Sequence, residues 1–150
     1  MVAAELVRPT VKVARMNPEV KLPLQAHASD AGFDLHSTER KDIPPGCSML
    51  IGTGLRMQIP DGWCGQINPR SSIASKHQVV VGARIIDSAY RGEVKINLIN
   101  NGPDTFEVVI GMRVAQILFL PVLGDMVEVS ESELTETIRG EGGFGSTGDR

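Results

Sequence analysis

The sequence predicts an all-β fold, a distorted jelly roll or β-sandwich of short strands with one short helix and a flexible Gly-rich C-terminal tail. Two observations carry this expectation. Gly and Pro recur as punctuation, at Pro23, Gly32, Pro44-Pro45-Gly46, Pro60-Asp61-Gly62, Gly82, Gly92, Gly102-Pro103, Pro121 and Gly124, and leave apolar runs of strand length between them. Where the pattern is clearest it has the period of a half-buried strand: in GEVKINLIN, Val94, Ile96 and Leu98 fall on one face and Lys95 and Asn97 on the other.

The remaining elements follow the same logic. VAQILFLPV is nearly all apolar and reads as a buried strand, with Gln116 as its one polar interruption. RSSIASKH, Arg70 to His77, has the small and charged residues of a short helix, starting on hydroxyls that can cap it. With 150 residues and 41% hydrophobic content the chain suits one domain with its own core. The division expected within it is a β body over 1–138 and a mobile lid over 139–150.

Charge narrows the function classes. A net charge of -3 gives no bulk attraction to nucleic acid or to an anionic membrane, so any phosphate binding must be local. Cys47 and Cys64 can pair by arithmetic, but a chain of this length does not need the staple. Met1 to Met16 mixes charges and Pro9 with short apolar pieces and carries neither a signal h-region nor a spanning run, so a soluble, cytoplasmic protein is expected.

Several stretches carry candidate chemistry, each with a plainer reading beside it. RGEGGFGSTG, Arg139 to Gly148, fits two phosphate-loop templates on paper. It lacks the following helix of one and the lysine of the other. In SDAGFDLHS, Asp30 and Asp34 flank a Gly turn and read first as turn chemistry. In NPRSSIAS, Arg70 and two hydroxyls at a helix mouth suit phosphate oxygens, or form an ordinary N-cap with a surface arginine. Asp87 in IIDSAYRGE follows apolar residues and precedes Tyr90, the only tyrosine. It suits a general base or a simple hairpin turn. Gln116 within a buried strand must find partners, in the backbone or in a ligand. His27, His36 and His77 have no metal-ligand spacing.

In order and spacing, five blocks together resemble the trimeric dUTP diphosphatase family: ASDAGFDLHS from Ala28, PRSSIASKH from Pro69, GARIIDSAYRGE from Gly82, GMRVAQILF from Gly111 and RGEGGFGSTG from Arg139. The resemblance implies hydrolysis of dUTP to dUMP and pyrophosphate, which keeps uracil out of DNA and supplies dUMP for dTMP synthesis. It implies one Mg²⁺ held by the phosphates and by waters, with no direct protein ligand, those waters being oriented by Asp34 and Gln116. Arg70, Ser71 and Ser72 match the phosphate-binding turn. The segment containing Arg84, Ile85, Ile86 and Tyr90 matches a hairpin that reads uracil, with Lys95 opposite on its returning strand and Tyr90 under the deoxyribose. Asp87 matches the carboxylate that activates water for in-line attack on the α-phosphorus. Arg139 matches the partner of the γ-phosphate, Phe144 the ring that stacks on uracil, and Gly145, Ser146 and Thr147 further phosphate contacts. The implied assembly is a homotrimer with shared active sites, with no nucleic acid and no membrane partner.

Three positions depart from the family pattern: Ser72 and Arg84 stand where glycine is common, and Ala89 where an acid is frequent. The alternatives are a dCTP deaminase-like nucleotide enzyme and a regulatory protein-binding module on the same fold.

Overall fold

The computed structural model describes residues 8–142. Ten strands and one short helix run in the order β1 (Lys12–Arg15), β2 (Phe33–His36), β3 (Lys41–Ile43), β4 (Ser48–Gln58), β5 (Trp63–Asn68), α1 (Ser71–His77), β6 (Val79–Val81), β7 (Ile85–Ile86), β8 (Glu93–Asn100), β9 (Phe106–Val108) and β10 (Arg113–Pro121), followed by a single 3-10 turn at Glu131–Glu133. They form two four-stranded sheets, β1-β4-β8-β6 and β2-β10-β5-β7, and the two-stranded ribbon β3-β9. The named strand pairs are all antiparallel.

The expected periodicity is what builds the core. Val94, Ile96 and Leu98 of β8 are buried and meet Ile51, Leu55 and Met57 of β4, while Leu35, Ile67 and Ile117 come from the opposing sheet. Each side chain of this size, fully buried, contributes about 1.5–3 kcal/mol. Ile73 fixes α1 onto the same core, and Ile43, Phe106 and Val108 close one end from the ribbon. One irregularity interrupts β4: the register against β8 slips between Gly52 and Arg56. There Thr53 Oγ1 donates to Val94 O at 2.5 Å, and Glu93 accepts the Gly54 N–H at 2.9 Å. Gly54 has φ +65, and a Cβ on it would stand 2.5 Å from Val20, so this bulge requires glycine.

Beyond β10 the chain changes character. Residues 122–141 are exposed throughout, with Leu123, Met126, Val127, Leu134 and Ile138 all bare. Cys47 and Cys64 are both free thiols. Among the described residues no helix is long and apolar enough to cross a membrane.

Candidate active site

One part of the site is assembled by strand register. Gln116 of β10 stands between Asp34 of β2 on one side and Asn68 of β5 on the other, which brings two of the five sequence blocks side by side and the start of a third, at Pro69, next to them. Asp34 and His36 share the face of β2 opposite the buried Leu35. A slip in the β2-β10 ladder between Arg113 and Ala115 puts Arg113 opposite His36 and Gln116 opposite Asp34. Strict alternation would send Arg113 and Gln116 to opposite faces, and the bulge brings them to the same one.

The contacts follow from this placement. Arg70 Nε donates to Asp34 Oδ1 at 3.1 Å and Arg113 Nη1 to Asp34 Oδ2 at 3.2 Å, so one half-buried carboxylate holds two guanidinium groups. Gln116 Nε2 donates to Pro69 O at 3.1 Å, and its Oε1 lies over Gly32, where a Cβ would come within 2.3 Å. The glycine of SDAGFDLHS is thus the space that the glutamine occupies. Asp34, Arg70, Ser71, Arg113 and Gln116 line a cavity of about 280 Å³ beside this glycine.

The start of α1 differs from expectation. The helix begins at Ser71, Arg70 takes the N-cap position, and no side chain caps it. Ile73 and Ala74 are the first residues whose N–H groups bond back, both to Arg70 O. The hydroxyls of Ser71 and Ser72 were expected to close the helix; they are exposed instead and leave the N–H groups of this first turn open to a ligand.

The other part lies on the long connection from β6 to β8. These two strands are the arms of a hairpin whose ladder ends where Gly82 N–H donates to Asn97 O at 2.8 Å. Beyond that point the outgoing strand leaves its partner. Ile85 and Ile86 pair with Gln66 and Gly65 of β5, in the opposing sheet. Lys95 lies on β8, the strand that returns from this connection, where it pairs with Gly52 of β4 on one edge and holds Nζ 3.9 Å from Glu93. The ladder is lost because β5 offers β7 a free edge.

Arg84 secures that exchange. Its Nε donates to Ile67 O at 3.0 Å, its backbone carbonyl accepts from Ile67 N–H at 2.7 Å, and Nη2 reaches Asn68 Oδ1. Asp87 and Tyr90 then close a turn, with Tyr90 N–H donating to Asp87 O at 3.1 Å. The Asp87 carboxylate is exposed. The Tyr90 hydroxyl donates to Glu93 O at 3.0 Å, and its ring passes where a Cβ on Gly92 would stand 2.4 Å from the phenol oxygen. Neither Asp87 nor Tyr90 lines the cavity around Asp34.

Arg139 sits on the exposed segment, where Nε donates to Gly142 O at 2.8 Å. Phe144, Gly145, Ser146 and Thr147 lie outside the described residues. Sequence reasoning passed over Arg113 and Gly32. Their signals were present, since Arg113 opens the block that contains Gln116 and Gly32 centres the block that contains Asp34. Sequence reasoning noted of His36 only that it has no metal-ligand spacing. His36 Nδ1 is buried without a partner, and burial, followed by the Lys21 ammonium, holds the imidazole below its ordinary pKa against the opposing pull of Asp34.

Comparison with known proteins shows the family. Residues 18–148 match the family model described as dUTPase. The chain is 44% identical over 141 residues to a deoxyuridine 5'-triphosphate nucleotidohydrolase of Crocosphaera subtropica, covering 92% of this chain and 98% of that one. It is 46% identical over 140 residues to the protein of the same name from Clostridium acetobutylicum, at 92% and 96% coverage. Among solved structures it resembles the Staphylococcus bacteriophage 80alpha dUTPase with dUPNHPP, at TM-score 0.85 and 26% identity over 93% of this chain and 98% of that chain. A match that runs through both parts of the site and nearly the full length of these relatives leaves one conclusion: the chain belongs to the dUTPase family.

Proposed function

We propose that the chain hydrolyses dUTP to dUMP and pyrophosphate by in-line attack of an Asp87-activated water on the α-phosphorus. The observation that carries this reading is the Asp34–Gln116–Asn68 register, which places Arg70, Ser71 and an open helix start around one cavity. Full-length relatives named deoxyuridine 5'-triphosphate nucleotidohydrolase support the substrate.

Each residue then has a task. The Arg70 guanidinium, the Ser71 and Ser72 hydroxyls and the open N–H groups take phosphate oxygens, where fixed donors need no reorganisation as charge develops. Asp87, exposed on its turn, takes a proton from the attacking water. Ile85 and Ile86 hold the backbone that reads the base against β5, and Tyr90 presents its ring to the sugar, where a 2′-hydroxyl would collide. In this reading Arg84 supports that backbone rather than touching phosphate, because its donors go to Ile67 and Asn68. Lys95 stands on the neighbouring strand as a peripheral charge. From residue 139 the chain acts as a lid, with Arg139 on the γ-phosphate and Phe144, Gly145, Ser146 and Thr147 completing the cover.

Magnesium fits this donor set in one way. Among the described residues no group of three or more His, Cys, Asp or Glu side chains is placed to hold an ion directly, whereas Asp34 and the Gln116 carbonyl oxygen offer acceptors at the cavity wall. A hydrated ion carried by the phosphates suits that wall, because Mg²⁺ keeps several of its waters. When bound, it would neutralise phosphate charge. Asp34 and Gln116 would orient its waters, and the two arginines keep the Asp34 carboxylate in place.

The separate placement of Asp87 and the phosphate cavity supports a homotrimer in which each site draws on more than one chain. The bare apolar side chains of residues 122–141 support it too, since they need a surface to cover them. A nucleotide panel assayed for pyrophosphate release with magnesium tests the reading. Turnover of dUTP alone is expected. Comparable rates with UTP would overturn the sugar assignment, and comparable rates with dCTP the base assignment.

A further inference from the structure

A second cavity, of about 500 Å³, opens on the far side of the same two arginines. Lys21, His36, Arg70, Lys76, His77 and Arg113 bring their side chains to it, and Ser72 adds a hydroxyl. Among the described residues no carboxylate lines it. The one described acid in contact with its arginines is Asp34, which faces the substrate cavity. Among the described residues neither Lys21 nor Lys76 has an ion-pair partner. In a chain of net charge -3, four cations thus surround one concave site and share a single carboxylate, that of Asp34, which leaves the charge of Lys21 and Lys76 uncompensated. Cations gathered around one recess focus a field that attracts anions. His36 also lines the recess, and its Nδ1 is buried without a hydrogen-bond partner among the described residues.

We propose that this cavity is a second anion site, separate from the substrate cavity but sharing Arg70, Arg113 and the Ser72 hydroxyl with the substrate's phosphate-binding groups, and that it takes pyrophosphate. Its charge stands whatever the chain catalyses; that pyrophosphate is the occupant rests on the proposed dUTP hydrolysis, which would generate it one arginine away. Volume supports the choice, because the recess holds a diphosphate with part of its hydration shell. An anion here draws the two guanidinium groups away from Asp34. Retained product would thus weaken the hold on the carboxylate that faces the next substrate.

The test is calorimetric titration of pyrophosphate into the full chain with its substrate cavity occupied by dUPNHPP, at fixed free magnesium. Binding in addition to the analogue is expected, weakened about tenfold in Lys21→Gln and in Lys76→Gln, the loss of one charge-assisted contact. Both lysines are exposed, so both variants should melt as the parent does and keep its KM for dUTP. Absence of binding to the analogue-filled enzyme would overturn the proposal. So would unchanged binding in both variants, or a KM for dUTP raised by the same factor, which would make the recess part of the substrate site. If dUPNHPP itself fails to bind, the dUTP reading fails. The anion site is then decided separately, by pyrophosphate titration of the unliganded chain and its two lysine variants.

Discussion

The two parts of the site are built in opposite ways. Around Asp34, three strands fix the geometry through long-range pairing, and every functional group touches another: Asp34 two arginines, Gln116 a backbone carbonyl and the space over Gly32. Around Asp87 the geometry is local, a turn between two strands of different sheets, and the carboxylate is exposed. A group embedded in a network cannot be changed without disturbing the fold. A group on an exposed turn can be changed almost for free, so its effect reads out in function alone.

That contrast orders the expected effects. Asp87→Asn should lower turnover by about 10²–10⁴-fold, the range for loss of a positioned general base, with an unaltered melting temperature. Mixing it with chains cut after Ile138 sharpens the result: mixed trimers should regain activity, because an intact Asp87 then meets an intact lid from another chain. Mixed trimers that form and stay inactive would place the lid over its own chain. Gly32→Ala should do the reverse. The added Cβ meets the amide end of the Gln116 side chain, which must swing away from Pro69 O; losing that hydrogen bond costs about 1 kcal/mol and displaces the glutamine, so denaturation and the KM for dUTP should shift together. A variant as stable as the parent would mean that this part is less tightly assembled than its contacts indicate. Arg84→Gly should have the smallest effect. It removes two hydrogen bonds to β5 from a partly exposed side chain, about 1 kcal/mol, and should raise KM modestly with turnover nearly intact.

The same contrast explains what could be read from the sequence. β8 and β10 were legible because their periodicity is the burial itself, as Val94, Ile96 and Leu98 attest. The helix was legible except at its start, where side-chain identity suggested hydroxyl caps and the backbone used Arg70 instead. Arg113 was missed because it stands three positions before Gln116, an odd spacing, and only a bulge gives the two a common face. No pattern along one strand encodes a slip against its neighbour. The expected hairpin around Asp87 was half right for a related reason. Local sequence marks the turn, while the partner of Ile85 and Ile86 is decided by an edge on β5 that lies about twenty residues upstream. The roles assigned to Asp34, Gln116 and Asp87 came from the resemblance of ordered blocks, since each residue alone had a plainer reading.

The bare segment after β10 carries a consequence for how the protein would behave on dilution. Among the described residues nothing covers Leu123, Met126, Val127, Leu134 and Ile138, which leaves them free to be buried by an encounter. Where the covering surface belongs to a second copy, chain concentration becomes a variable of catalysis, because specific activity would fall as the assembly is diluted through its dissociation range. Newly made chains would pass through a stage in which the β body is complete, these side chains are wet and no site works. For this fold, becoming soluble and becoming active would be the same event.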